Sequence, residues 1–280
     1  MDVRLPDERV LVLPDNFDIE AAETRAGAKK ADAFGTLARM AGLLSRPKDE
    51  EFELVYRERR LQPFWSLSCT AVCVYERTRE HAFQVAPEVR QVTLAGEVHG
   101  VAAQQVTLSV LESCREETRK EALFDALTGQ AAPDLASRMK APGSLANEEA
   151  LAALVRAGTV VAPPQTKASV VVREMLSGLV GKIEADRVLE ETVTFDAVDL
   201  CYRPVYAFRY RRQGKEAVVE VDGVTGEARA GGATFEAYLG KVLEPRFLLE
   251  VGAEAANIFL PGASLVKVLV AKGMDMRQGR

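Results

Sequence analysis

The sequence feature that most constrains the fold is the stretch YRPVYAFRYRRQGKEAVVEVDGVTGEA at residues 202–228. Apolar and polar residues alternate along it, the pair Gln213-Gly214 interrupts the alternation, and the alternation then resumes. Alternation with a period of two on both sides of a two-residue turn is typical of a β-hairpin. The stretch therefore predicts two antiparallel strands joined at Gln213 and Gly214.

The same alternation predicts which residues face each other across the hairpin. One face receives the aromatic residues and their apolar partners, in the pairs Tyr210–Ala217, Phe208–Val219 and Tyr206–Val221. The other face receives the pairs Arg211–Glu216, Arg209–Val218 and Ala207–Glu220. A shift of one residue would set aromatic rings against acids, so the pattern selects this register. We expect the aromatic face to lie in a core and the charged face to be solvated.

The four arginines of the first strand raise the question of nucleic-acid binding. Bases stack on aromatic side chains that share a face with phosphate-binding cations, whereas here the two kinds of side chain lie on opposite faces. The net charge of −5 also argues against general affinity for phosphate backbones. We interpret the charged face as solvated, and the alternative is a small patch of Arg203, Arg209 and Arg211 that binds an anionic partner. The candidate binding surface on this face is composed of Arg203, Arg209, Arg211, Glu216 and Glu220.

A second turn pattern, Asp-x-x-Thr-Gly, occurs twice, in FDALTG at 124–129 and in VDGVTG at 221–226. Aligning Pro63 with Pro204 also places Trp65 on Tyr206, in phase on the predicted core faces. Asp, Thr and Gly are residues that form tight turns, so we interpret both patterns as structural turns. Together these likenesses predict a duplicated α+β unit.

The predicted fold class is α+β, with two similar units of a helix packed on an antiparallel sheet and helical N- and C-terminal flanks. The boundaries are a leader and helix at 1–50, a first unit at 51–130, a connector at 131–165, a second unit at 166–232 and a helical tail at 233–280. Apolar spacing and capping residues predict a strand at 9–13 and helices at about 18–45, 147–157 and 167–181. ERTREH at 76–81 is predicted to be a polar turn, and separate strands are predicted at about 190–200 and 202–212.

The stretch YAFRYRRQGKEAVVEVDGVTGEA, preceded by a helix, resembles the closing hairpin of the PepSY domain. The resemblance covers about 166–230, and 52–130 only loosely. PepSY domains are mostly non-catalytic modules that bind or inhibit other proteins, often beside peptidases. The resemblance therefore implies a binding module and supplies no catalytic residues.

The sequence contains no recognisable reactive arrangement. Cys69 and Cys73 lie four residues apart on one strand, about 13 Å, which is too far for both sulfurs to bind one metal unless the strand bends. The two histidines, His81 and His99, occur in polar stretches without a nucleophile motif. We therefore predict no cofactor, no metal site and no enzymatic activity.

The tail is rich in apolar residues, among them Phe259, Leu265 and Leu269. It either packs on the second unit or serves as a docking or dimer-forming segment. We find no secretion signal and no span long enough for a membrane helix, and we expect a cytoplasmic protein with reduced cysteines. The leading hypothesis is a non-enzymatic protein-binding or scaffold module, with an unidentified protein partner or self-association through the tail. The alternative is an enzyme of unrecognised type whose pocket lies between the two units.

Overall fold

The computed structural model describes residues 1–35, 49–140, 142–179 and 183–232. Strands make up 52% of the described residues and helices 20%. The strands are β1 (Asp2–Arg4), β2 (Arg9–Val12), β3 (Glu53–Gln84), β4 (Gln91–Leu94), β5 (Glu97–Gly100), β6 (Gln105–Asp125), β7 (Ser144–Leu145), β8 (Val160–Val161), β9 (Arg187–Arg212), β10 (Lys215–Asp222) and β11 (Ala228–Ala230). The α-helices are α1 (Ile19–Lys29), α2 (Glu148–Arg156) and α3 (Ala168–Ser177), and short 3₁₀ turns cover Lys30–Phe34, Asp49–Glu51 and Pro133–Arg138.

Nine of these strands form one mixed sheet, built around the two long strands β3 and β9. Strand β9 pairs antiparallel with β10 and parallel with β1 and β2. Strand β3 pairs with β9, with β6 and, in parallel, with β8. The remaining two strands, β4 and β5, form a separate antiparallel hairpin.

The predicted β9–β10 hairpin is confirmed in position and register. Arg212 pairs with Lys215 across the turn, and Phe208 pairs with Val219 as the alternation requires. Gln213 and Gly214 both have positive φ, at 50° and 76°, as a two-residue turn that follows the strand twist demands. The aromatic face is buried against α1, in a cluster of Ala22, Ala26, Tyr206, Phe208, Tyr210, Val219 and Val221.

The predicted layout of two helix-on-sheet units is wrong. ERTREH does not turn: it continues β3, where Arg77 Nε donates to Glu112 Oε2 of β6 at 2.6 Å. The two strands predicted between 190 and 212 are likewise one strand, β9. Charged side chains do not end a strand when they find partners across it. Both halves of the chain therefore contribute to one mixed sheet, and helices form a minor part of the described structure.

The chain divides into two compact units that interleave along the sequence. Unit 1 comprises Met1–Pro6, Leu67–Glu121 and Arg173–Ala197, and unit 2 comprises Asp7–Ser66, Ala122–Val172 and the chain from Val198 onward. The long strands explain the interleaving, because β3, β6 and β9 each pass from one set of residues to the other.

The two Asp-x-x-Thr-Gly turns have the same hydrogen bonds. Asp125 Oδ1 accepts from the backbone N–H groups of residues 127 and 128 at 2.8 and 3.0 Å. Asp222 Oδ1 accepts from those of residues 224 and 225, both at 3.0 Å. The closing glycines, Gly129 and Gly226, have φ of 75° and 72°. The sequence likeness therefore reflects a repeated local structure, although the two copies do not form separate helix-on-sheet units.

The aligned aromatic residues also occupy corresponding positions. Trp65 Nε1 donates to the carbonyl of Thr166 at 2.8 Å, two residues before α3 begins. The Tyr206 hydroxyl donates to the carbonyl of Phe17, two residues before α1 begins. Each aromatic side chain thus holds the segment that precedes a helix, and that segment is distant from the aromatic residue in the sequence.

The predicted helix starts are confirmed where the structure describes them. Asp18 caps α1 by accepting from the Ala21 N–H at 2.7 Å, as expected for an N-cap carboxylate. The predicted extent of that helix, to about residue 45, is wrong: α1 ends at Lys29, a 3₁₀ turn follows over Lys30–Phe34, and Gly35 has a φ of 95°, which a helix does not allow. The tail at 233–280 lies outside the described residues. No helix within the described ranges is long and apolar enough to cross a membrane.

Candidate functional site

The candidate binding surface does not form one exposed patch. The side chain of Arg203 is only 16% exposed, and it donates to Asp222 Oδ2 and to Gln62 Oε1, both at 2.9 Å. Glu220 binds the guanidinium of Arg60, which is fully buried. These residues therefore point into unit 2 and take part in its internal contacts.

The other three members lie nearer to solvent at the tip of the hairpin. Arg211 donates to Glu216 Oε1 at 2.8 Å, across the strand pair that the sequence predicts. Arg209 is partly buried, with its guanidinium 5.2 Å from the centre of the Tyr56 ring. The exposed part of the predicted surface is thus a cross-strand ion pair beside a partly buried cation–π contact. The three tail residues, Phe259, Leu265 and Leu269, lie outside the described residues.

Unit 2 contains two hydrogen-bonded groups of charged residues, one in which Arg60 binds Glu58 and Glu220 and one in which Asp222 binds Arg138 and Arg203. The charge of Glu220 also acts on Arg203, and we call these three arginines and three carboxylates the charged network. Arg138 Nε donates to Asp222 Oδ2 at 2.5 Å, and Arg60 Nη1 donates to Glu58 Oε1 at 2.9 Å. The side chains of Arg60 and Arg138 are 1% and 3% exposed. Charges at this depth are retained only when they are paired. The equal numbers of opposite charges satisfy that requirement.

Asp222 connects this network to the repeated turn. Burial alone would raise the pKa of its carboxyl, but the hydrogen bonds from Arg138 and from the Thr225 backbone, together with the charge of Arg203, lower the pKa overall. One carboxylate oxygen holds the turn and the other binds two guanidinium groups. The arrangement therefore holds distant segments of unit 2 together.

An open cleft of about 590 Å³ lies beside the network, where the loop before α1 meets β3 and the loop before β8. Arg59 lies in its wall and donates to Asp15 Oδ2 and to Thr159 Oγ1, both at 2.8 Å. The Tyr206 hydroxyl lies 2.9 Å from the same carboxylate oxygen. Burial and the adjacent Asp15 carboxylate raise the pKa of Tyr206 to about 12, so its hydroxyl stays protonated at neutral pH. These groups line the cleft and bind one another.

Three of the four cysteines behave as buried apolar side chains, and Cys114 is partly exposed. Cys69, Cys73 and Cys201 are buried, and burial raises the pKa of each thiol, to about 12 for Cys201. A raised pKa keeps a thiol protonated and unreactive at neutral pH. Among the described residues, no three Cys, His, Asp or Glu side chains come close enough together to hold a metal ion.

The exposed apolar side chains are concentrated in unit 1. Among the described residues eleven large apolar side chains are exposed, and only Leu145 and Val170 belong to unit 2. The nine in unit 1 are Met1, Leu5, Phe83, Leu94, Val98, Val110, Leu111, Val188 and Leu189. Single exposed apolar residues are normal on protein surfaces, but this bias towards one unit is informative.

The sequence did not reveal the charged network. Glu58, Arg60 and Gln62 alternate along β3 and have the pattern of a solvated strand face. In the structure every residue from Arg60 to Trp65 is buried, so both faces of this part of β3 are covered. No feature of the neighbouring sequence indicates that both faces of this part of β3 are buried.

Comparison of the chain with protein-family models, with curated proteins and with solved structures finds no match in any of the three. The resemblance to PepSY domains therefore stays a prediction.

Proposed function

We propose that this protein is a non-enzymatic protein-binding or scaffold module whose contact surface is in unit 1. The observation that carries the proposal is the concentration of exposed apolar side chains in that unit. Apolar surface is covered favourably when a partner removes it from water. The two parts of the chain then have separate tasks: unit 2 is cross-linked internally by its charged network, and unit 1 presents the surface.

The β4–β5 hairpin is the part of unit 1 best suited to contact a partner. Ala95 and Gly96 form its turn, with φ of 51° and 91°. Leu94 and Val98, on either side of that turn, are 51% and 63% exposed. Leu94 pairs with Glu97 and Val98 with Thr93, so the two apolar side chains lie on opposite faces. A two-stranded hairpin alone is marginally stable in water, and contact with a partner on either face would stabilise it.

The proposed compartment is the cytoplasm. All four cysteines are free thiols, and thiols stay reduced in that compartment. Fractionation of cells followed by detection of the protein tests this assignment.

The test of the binding proposal is affinity capture of the tagged full-length chain from native extract, with quantification of bound proteins. We compare the wild type with the double variant Leu94→Ser/Val98→Ser. The matched control is Leu145→Ser, which removes a 74% exposed leucine from unit 2. We expect a near-stoichiometric partner with the wild type and the control, and its loss with the double variant.

Two results would contradict the proposal: no partner with the wild type, or a partner retained equally by all three proteins. A fourth protein, Leu265→Ser/Leu269→Ser, tests the predicted role of the tail. Loss of the partner from this variant alone would move the contact surface from unit 1 to the tail.

A further inference from the structure

Strand β6 has an open backbone edge. Within the described part of the chain it pairs only with β3. Near its end, Leu123 accepts from the Ala132 N–H at 2.8 Å and Asp125 donates to the Gln130 carbonyl at 2.9 Å, and these bonds lie on the edge away from β3. Before Leu123 that edge has no strand partner among the described residues. Such an edge is a template for pairing with another strand.

The backbone groups on that edge belong to odd-numbered residues. Successive residues of a strand direct their N–H and C=O groups to opposite edges, and Leu123 and Asp125 direct theirs outward. Arg115, Glu117 and Arg119 therefore also present their N–H and C=O groups to solvent. The residues are exposed, so the edge is accessible over this stretch.

The charges along this edge are complementary to the same charges in a second, antiparallel copy of the strand. We call the stretch REETRKE at 115–121 the edge segment. If two copies of it pair antiparallel about Thr118, every charged residue meets an opposite charge in the other copy. The pairs are Arg115–Glu121, Glu116–Lys120 and Glu117–Arg119, each formed twice, with Thr118 opposite Thr118.

The neighbouring registers fail the same test. Centring the pair on Glu117 would set Glu117 against its own copy and Arg115 against Arg119. Centring it on Arg119 would set Arg119 against its own copy and Glu117 against Glu121. Like charges directly opposite each other destabilise a strand pair, whereas opposite charges and Thr–Thr pairs stabilise it. The charges therefore select one register.

The side chains are already arranged for this pairing within a single chain. Arg115 donates to Glu117 at 2.9 Å, and Arg119 lies 3.6 Å from Glu121, so the four residues alternate in charge along one face. A second copy related by a two-fold axis would add the same row in the opposite direction. Each charge would then be flanked by opposite charges along its own strand and across the new pair.

We propose that β6 pairs antiparallel with β6 of a second copy of this chain, centred on Thr118, to form a two-fold symmetric dimer. Charges on an edge strand ordinarily oppose pairing with other strands, and here the same charges favour one partner, the segment itself. Such an interface is self-complementary, as two-fold symmetry requires. The inference rests on the proposed function and specifies one of the partners of that binding module.

The test uses purified full-length protein and measures its mass by light scattering and sedimentation over a series of concentrations. The wild type should dimerise, and added salt should weaken the dimer because the charges are exposed. Glu117→Arg and Arg119→Glu each replace two opposite-charge pairs by two like-charge pairs. We expect each variant to dimerise about tenfold more weakly than the wild type, or worse.

Two further proteins identify the register. The double variant Glu117→Arg/Arg119→Glu restores opposite pairs and should dimerise like the wild type. A mixture of the two single variants should form a heterodimer, because one copy then has arginine at both positions and the other copy has glutamate at both. The matched control, Arg229→Glu on β11, changes the charge equally at a half-exposed arginine of unit 2 and should leave the dimer unchanged.

Three results would overturn the proposal: a wild type that is monomeric at every concentration, a dimer that neither single substitution weakens, or single variants that do not combine. Circular dichroism confirms that each variant is folded. The hairpin variant Leu94→Ser/Val98→Ser should still dimerise. If this variant dimerises and also retains the foreign partner, the result counts against the proposed contact at the β4–β5 hairpin alone. If affinity capture finds a foreign partner but the purified wild type is monomeric, the result counts against the proposed dimer and leaves the binding proposal standing.

Discussion

Replacing Asp222 by asparagine removes one negative charge from the charged network and keeps the shape of the turn. The asparagine oxygen can still accept the two backbone hydrogen bonds that Oδ1 accepts from residues 224 and 225. The lost interactions are those of Oδ2 with Arg138 at 2.5 Å and with Arg203 at 2.9 Å. Both guanidinium groups then lose their nearest counter-charge.

The expected loss of stability follows from the burial of those arginines. Removing one member of a buried ion pair costs about 3–5 kcal/mol, because the other charge stays buried without compensation. Arg138 keeps a hydrogen bond to the Asp134 carbonyl at 2.7 Å and has Glu227 at 3.7 Å. We therefore expect the lower end of the range, about 3 kcal/mol in the free energy of unfolding.

The repeated turn supplies a matched control. Asp125 accepts the same two backbone hydrogen bonds, and within the described chain no arginine forms an ion pair with it. Asp125→Asn should therefore cost less than about 0.5 kcal/mol. Urea unfolding, followed by circular dichroism and by tryptophan fluorescence, measures both variants. Equal losses from the two substitutions would refute the view that the network, rather than the turn, makes Asp222 important.

Two further predictions concern the stability of the protein at low pH and the substitution of the two turn glycines. Because the pKa of Asp222 is lower in the folded state than in the unfolded chain, the unfolded chain takes up the proton first, so stability should fall as the pH drops below about 4. Asp222→Asn should lose less stability over the same range in urea titrations, and an equal loss would contradict this account. Gly226→Ala should cost more than Gly129→Ala. Both glycines have left-handed φ, so an alanine at either position costs about 1 kcal/mol in backbone strain. The two sites differ in the space around them. A Cβ at Gly226 would lie 2.5 Å from the Phe17 ring, whereas a Cβ at Gly129 would lie 3.1 Å from the Thr166 hydroxyl. Thermal unfolding compares the two, and equal losses would mean that the ring moves aside freely.

The sequence determined the structure where the interacting residues are close along the chain. The β9–β10 hairpin was predicted down to its register, because two strands joined by two residues leave the alternation only one consistent pairing. The Asp-x-x-Thr-Gly turns and the Asp18 cap were also predictable, since each aspartate bonds to backbone groups within three residues. At these positions the residue type and its nearest neighbours fix the conformation.

The tertiary structure decided everything that depends on distant partners. The polar residues of ERTREH favour a turn by composition, yet they continue β3, and Arg77 within them binds Glu112 of β6. Arg203 and Glu220 have the pattern of a solvated strand face, yet Gln62 and Arg60, some 140 to 160 residues earlier in the chain, bind them inside unit 2. The alternation of apolar and polar residues along a strand indicates which residues share a face. Whether that face meets water depends on segments folded over it from elsewhere in the chain, and only the assembled structure contains that information.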